Sequence, residues 1–161
     1  MAEHIQQGDP IPDANLMHMG PDGPEPIKTS DYFKGRRVAL FSVPGAFTPT
    51  CSAKHLPGFT ANAKAFADKG VDTVACTSVN DVFVMDSWGK SQDADGVMML
   101  ADGNGAFAKA IDLEMGASGF GMGTRSQRYA MVVNDGVVEK LFVEGPGEFK
   151  VSSAEHVLDN L

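Results

Sequence analysis

Cys51 stands next to last in the run Val43-Pro44-Gly45-Ala46-Phe47-Thr48-Pro49-Thr50-Cys51-Ser52, at the point where an apolar stretch, residues 37–43, gives way to a helical pattern. The stretch suits an interior strand, and Thr48 or Thr50 can cap the helix that opens near Cys51. A thiol in a first helical turn faces unpaired backbone N–H groups and the positive end of the helix dipole. Both favour thiolate over thiol, and the thiolate is the nucleophile. A dithiol redox site would place a second cysteine three residues earlier, where this chain has Thr48. The site therefore cannot resolve its own disulfide. What Thr48 brings is a hydroxyl that can both donate to and accept from a small oxygenated substrate beside the sulfur. Pro44 and Pro49 stiffen the loop, remove competing N–H groups and shield the pocket.

The elements that hold this segment follow from periodicity. Residues 1–36 are rich in Pro and Gly and read as an extended arm and loops, with regular structure beginning near Arg37. After the first strand, Leu56, Phe59, Ala63, Phe66 and Ala67 mark an amphipathic helix that ends at Gly70. Pro57 lies inside it and is expected to kink the Cys51 turn away from the main helix. Residues 71–79 read as a strand, followed by a helix capped by Asn80 or Asp81 and carrying Val84 and Trp88. Residues 97–101 read as another strand, and Asn104 can cap a short helix over Phe107 and Ile111. Beyond a Gly-rich loop, 116–123, two strands at 128–133 and 137–143 flank Asn134-Asp135-Gly136, a hairpin signal. Ser152 and Glu155 have capping-box spacing ahead of Val157, Leu158 and Leu161. Strands alternating with helices, then a hairpin and a last helix, imply an α/β domain over residues 1–161, with a mixed central sheet flanked by helices on both faces. That order resembles the thioredoxin-like fold.

Composition narrows the function classes. The chain has 161 residues and 43% hydrophobic side chains, enough for one ordinary core. Thirteen basic against twenty-one acidic groups leave a net charge of -8, which argues against nucleic acid or an anionic membrane as partner. The apolar stretches are strand-sized, well short of the roughly 20 residues that span a bilayer, and the polar start 1–7 has no signal-peptide pattern. A cytoplasmic location is expected. Two cysteines, Cys51 and Cys76, make no disulfide framework, and reduced thiols are the default.

Pro44-x-x-x-Thr48-x-x-Cys51 resembles the active-site signature of the peroxiredoxins. The resemblance extends through His55-Leu56-Pro57-Gly58-Phe59, Ser78-Val79-Asn80-Asp81 and Arg125-Ser126-Gln127-Arg128-Tyr129-Ala130, and covers the chain from about Asp9 onward. In these segments the chain is similar to the type II, or peroxiredoxin 5, subfamily. The resemblance implies a peroxidase in which Cys51 attacks hydrogen peroxide or an alkyl hydroperoxide, with Thr48 and Arg128 completing the site and no metal, flavin or haem. Charge builds on the departing oxygen as the O–O bond breaks, so preorganised donors there favour the transition state. Arg128 supplies a fixed charge and a rigid donor fork. Pro44, Gly45, Phe47 and Phe120 are expected around the substrate pocket, and a homodimer with the site near its interface is implied, with Trp88 and the loop 44–50 as contacts. Many relatives carry a resolving cysteine near the last helix, where this chain has Val151-Ser152-Ser153. An external thiol is therefore expected to reduce the Cys51 sulfenic acid, glutathione with glutaredoxin first and thioredoxin second.

Several residues carry a plainer reading beside the chemical one. Cys76 lies in an expected interior strand and reads as a small core residue. His55 follows Cys51 by four residues, where a structural hydrogen bond is favoured over a general base. Arg125 is expected to support the site from behind or to sit at the surface. His4, His18 and His156 are too scattered for a metal site. Asp93-Ala94-Asp95-Gly96 opens like a calcium loop without the remaining ligands, and 119–123 is not a dinucleotide motif. The latter reads as a mobile loop near the pocket mouth, with Phe120, Phe47 and nearby methionines forming an apolar collar or a dimer contact. Two rivals stand beside the peroxidase. A peroxide sensor or holdase would be oxidised at Cys51 without turning over, and a thiol-disulfide carrier is disfavoured by Thr48.

Overall fold

Five consecutive buried residues, 38–42, make β3 (Arg37–Ser42) a strand covered on both faces. Its alternating side chains feed two separate cores, Ala39 and Phe41 on one side and Val38 and Leu40 on the other. In the computed structural model, which describes residues 4–161, β4 (Thr73–Ser78) runs parallel to β3, and β5 (Val97–Ala101) runs parallel to β4. On its other side β3 pairs antiparallel with β8 (Tyr129–Asn134), which pairs with β9 (Val137–Val143). With β1 (Asn15–Gly20) and β2 (Gly23–Lys28), the seven strands follow the order β2-β1-β5-β4-β3-β8-β9.

Helices cover both faces of this mixed sheet. On one face, α2 (Leu56–Ala61), α3 (Ala63–Asp68), α4 (Val82–Ser91) and α6 (Ala154–Asp159) bury Leu56, Phe59, Phe66, Met85, Trp88 and Val157 against Phe41 and Cys76. On the other, α1 (Thr29–Tyr32) and α5 (Ala106–Ala110) bury Tyr32 and Phe107 against Leu40, Ala75 and Met131. Each fully buried Leu or Phe contributes roughly 1.5–3 kcal/mol, which makes the Phe41–Phe59–Phe66 stack, with centroids 4.1 and 5.4 Å apart, a firm backing for the segment that follows β3.

The structure departs from the sequence reading in local ways. The N-terminal region is not only arm and loop, because β1 and β2 form a hairpin and Leu16 is fully buried. Pro24 and Pro26 fit there because β2 is the sheet edge, where no ladder bond is lost. The first three residues of the polar start lie outside the described chain. Residues 56–70 form two helices, since Asn62 leaves helical geometry (φ -106, ψ 10). Asp81 caps α4 by accepting the Val84 N–H, and Met85 rather than half-buried Val84 joins the core. At α5 the cap is Gly105 (φ 70), and the Asp102 carboxylate, not Asn104, takes the Phe107 and Ala108 N–H groups. Ser153 caps α6, while Ser152 points inward. Asp135 and Gly136 both adopt positive φ, 49° and 80°, as a tight hairpin turn demands. The Gly-rich region is bounded by a short hairpin of β6 (Glu114–Gly116) and β7 (Thr124–Ser126), with a 3-10 turn at Ser118–Phe120. Among the described residues, no helix is long and apolar enough to cross a membrane and no acidic, His or Cys cluster could hold a metal ion.

Candidate active site

Past β3, the chain turns through residues 44–50 into one π-helical turn, Cys51–His55, that leads directly into α2. The Leu56 N–H donates to the Cys51 carbonyl, a five-residue step that widens the turn. Pro57 falls in the first turn of α2, where its missing N–H costs nothing. The break expected at Pro57 is thus a change of hydrogen-bond step before it rather than a proline clash. Thr50 already has helical dihedrals (φ -66, ψ -38), and neither Thr50 nor Thr48 caps the turn with its side chain.

Thr48 instead closes the loop on itself. Its hydroxyl donates to the Gly45 carbonyl at 2.7 Å, and its N–H reaches the same oxygen at 3.4 Å. Phe47, between them, is held at φ 64, a left-handed conformation that costs a non-glycine residue roughly 1 kcal/mol. The loop is pinned to the end of β4 by the Ala46 N–H, which donates to the Asn80 side-chain oxygen at 3.0 Å. Gly45 is buried there, and a Cβ would come within 3.1 Å of Met122 and of the Thr48 methyl.

Arg128 immediately precedes β8, the neighbour of β3, and so faces the segment that leaves β3. Its Nη2 donates to Cys51 Sγ at 3.0 Å, and its Nη1 donates to His55 Nδ1 at 2.8 Å. Because a guanidinium only donates, His55 Nδ1 must be the acceptor, and its Nε2–H donates to the Ser152 carbonyl at 2.9 Å. Burial, and then the Arg128 charge, push His55 down to about 3, so it is a neutral ring at ordinary pH. It therefore holds Arg128 without cancelling its charge. Phe149 covers the pair, its ring 5.7 Å from the Arg128 guanidinium carbon and 5.0 Å from the imidazole.

Cys51 itself is fully buried. Next to it opens a cleft of about 440 Å³ lined by Pro44, Thr50, Phe120, Arg128, Glu144 and Phe149, among others. Two expected pocket residues are not in its lining: Gly45 is buried in the loop, and Phe47 is 53% exposed. Arg125 spends its guanidinium on the Met122 and Val79 carbonyls, at 2.9 and 2.6 Å, and so ties the β6–β7 hairpin to the end of β4. Trp88 is not at the surface, as a dimer contact would be. It is fully buried, and its indole N–H donates to the Ser52 hydroxyl at 3.0 Å. Cys76 lies in β4 opposite Phe41, also fully buried, and burial pushes its thiol well up. Sequence reasoning missed Phe149 and Glu144, which approach Arg128 only through the loop after β9 and carry no spacing signal.

The Redoxin family pattern matches residues 6–158. Over 164 aligned residues the chain is 48% identical to the chloroplastic Peroxiredoxin-2E-2 of Oryza sativa subsp. japonica, covering 98% of this chain and 72% of that one. Among solved structures it is similar to reduced Prx3 from Vibrio vulnificus in complex with hydrogen peroxide, at TM-score 0.95 and 49% identity, covering 97% of this chain and 98% of that one. It is also similar to a Plasmodium falciparum antioxidant protein described as a 1-Cys peroxiredoxin, at TM-score 0.92 and 30% identity, covering 98% of this chain and all of that one, 100%.

Proposed function

We propose, on the premise that this chain belongs to the Redoxin family as a type II peroxiredoxin, that it is a thiol-dependent peroxidase whose nucleophile is Cys51. The observation that carries the assignment is the Arg128 Nη2 donation to Cys51 Sγ at 3.0 Å. A thiolate sulfur accepts that bond best, and a fork already in place needs no reorganisation when charge moves. Cys51 attacks one oxygen of a hydroperoxide, and a sulfur–oxygen bond forms as the O–O bond breaks. The electron pair leaves with the second oxygen, which takes a proton from water in the cleft and departs as water or an alcohol. Arg128 stabilises the charge on both oxygens during this transfer. Thr48 fixes the loop by donating to the Gly45 carbonyl, which leaves the lone pairs of its hydroxyl oxygen to accept the substrate O–H.

The resulting Cys51 sulfenic acid is then attacked by an external thiol, giving a mixed disulfide and water, and a second thiol releases Cys51. Glutathione with glutaredoxin is the favoured reductant and thioredoxin the second. Support for an external donor comes from Ser152 and Ser153 at the start of α6, and from Cys76, which is sealed in the core. The largely apolar cleft suits alkyl hydroperoxides as well as hydrogen peroxide. A homodimer is part of the same reading, supported by two large apolar side chains left in water near the site, Phe47 at 53% and Phe120 at 87% exposure. Sedimentation of wild type and F120S tests it, with a monomeric wild type removing the dimer.

The function is tested by following hydrogen peroxide consumption with glutathione plus glutaredoxin and, separately, with thioredoxin plus its reductase. Turnover that C51S lacks is expected, fastest with glutaredoxin. A single equivalent oxidised with no turnover under either donor would replace the peroxidase with the sensor.

A further inference from the structure

Glu144 follows β9 directly and lies across from Arg128, whose carbonyl accepts its N–H at 3.0 Å. Its side chain reaches forward to a stretch with no regular structure. Glu144 Oε2 accepts the N–H groups of Lys150, Val151 and Ser152, each at 2.8 Å, and the Ser152 hydroxyl at 2.7 Å; Oε1 accepts the Lys150 N–H at 2.9 Å. Three consecutive backbone donors thus converge on one carboxylate, which is 7% exposed. Burial pushes the Glu144 carboxyl up, but the Ser152 hydroxyl and these N–H groups outweigh it and hold the group below the usual range. Without the carboxylate, those donors would have no partner in the loop itself, and for the buried Ser152 N–H and hydroxyl an unmade hydrogen bond is costly.

The far side of the same loop faces the thiol site. The Ser152 carbonyl accepts the His55 Nε2–H, and only that tautomer leaves Nδ1 free to accept from Arg128. The opposite tautomer would set an N–H of the imidazole against an N–H of the guanidinium. Among the described residues Glu144 makes no ion pair with Arg128, and its hydrogen-bonded connection to the site runs through the loop. We propose that Glu144 is a positioning residue of the peroxidase site: by gathering residues 150–152 it fixes the Ser152 carbonyl, which selects the His55 tautomer, which holds the Arg128 fork against Cys51. The rate consequence rests on Cys51 being the reacting group, whereas the tautomer consequence does not.

The experiment pairs a 15N spectrum of the histidine rings with the single-turnover reaction of reduced protein and hydrogen peroxide. Trp88, the only tryptophan, reports that reaction through its bond to Ser52 beside Cys51. Wild type should show one His55 tautomer, Nε2–H. In E144A, the His55 signal should shift to mixed tautomers and the peroxide step should slow by about 10- to 100-fold, as for other residues that orient a reacting group from behind. A folded E144A with wild-type tautomer overturns the proposal even if its melting temperature falls, since that is a structural role alone. A changed tautomer with an unchanged rate overturns the link to Cys51. Should E144A not fold, E144Q carries the test, because its amide sets a donor against the Lys150 N–H; wild-type tautomer and rate in folded E144Q overturn the proposal. A wild type inert to peroxide defeats the peroxidase reading while the spectra still decide what Glu144 does to His55.

Discussion

Cys51 and Cys76 are both fully buried, both free thiols, and both part of the same apolar core on one face of the sheet. Burial opposes ionisation of a thiol, and it pushes the Cys76 thiol well up. The difference lies in what faces the sulfur. Cys76 has only a distant Thr77 carbonyl at 4.0 Å, while Cys51 receives a guanidinium N–H at 3.0 Å. Cys51 is as deeply buried, so the charge of Arg128 acts on it more strongly than it would in water. Depth therefore sharpens a reactive cysteine only where the fold also brings a fixed donor, and β8 beside β3 brings one to Cys51 and none to Cys76.

Removing the two sulfurs should have opposite extremes of effect. C51S should lower peroxide consumption by on the order of 10^4-fold or more, to background, as for loss of a nucleophile elsewhere. R128A should slow the peroxide step by about 10^2- to 10^3-fold, the usual cost of one preorganised donor at a developing oxyanion. R128K should fall between, because one ammonium restores charge but cannot span Cys51 Sγ and His55 Nδ1 together. Stopped-flow tryptophan fluorescence measures both. A folded R128A that keeps the wild-type rate would erase the distinction drawn between the two thiols.

The part of this contrast that was legible in the sequence was local. The strand 37–43, the turn after it and Thr48 in place of a second cysteine mark Cys51 as exceptional, and the alternation of strands and helices yields the sheet that holds it. Arg128 could be matched to the site only through its family resemblance, since its spacing from Cys51 carries no signal; the β3–β8 pairing is what brings it near. Phe149 and Glu144 are harder still, because they meet the site through a ring face and three N–H groups, neither of which leaves a side-chain pattern, whereas His55 stands out by its place four residues after Cys51 and makes a structural hydrogen bond to the Ser152 carbonyl. The β1–β2 hairpin was hidden for a different reason. Prolines that argue against a central strand are harmless at an edge, and edge position is decided by the rest of the fold.

His55 links the site to stability, and its sign is unusual for a histidine with a polar partner. Folded, it stays neutral down to about 3, while in the unfolded chain it takes a proton near 6.5. Its contribution is complete above pH 6.5 and is lost as pH falls toward 3, because only the unfolded state gains the proton. The limiting slope is about 1.4 kcal/mol per pH unit, so between pH 7 and 5 the stability advantage of wild type over H55N should shrink by roughly 2 kcal/mol. Urea unfolding at the two pH values measures it. Equal pH dependence in both proteins would mean that His55 takes up its proton as readily in the fold as in the unfolded chain, and that Arg128 is held by something else.

The smallest effect belongs to Cys76, and it is the finest test of the contrast. C76A should cost about 1 kcal/mol for the lost sulfur in a tight core and leave peroxide turnover within about twofold. Alanine is preferable to serine here because Thr77 already buries a hydroxyl without a partner among the described residues, and a second one would confound stability with chemistry. The informative failure is a C76A protein that consumes one equivalent of peroxide at the wild-type rate and then stops. That would place Cys76 after the chemical step as the thiol that resolves Cys51, and intact-mass measurement would show it as the loss of two hydrogens from oxidised wild type in the absence of added thiol. A core that sheds its packing to let Cys76 reach Cys51 would make burial a gate rather than a seal. The retained oxygen of a sulfenic acid in the same spectrum says that the seal holds.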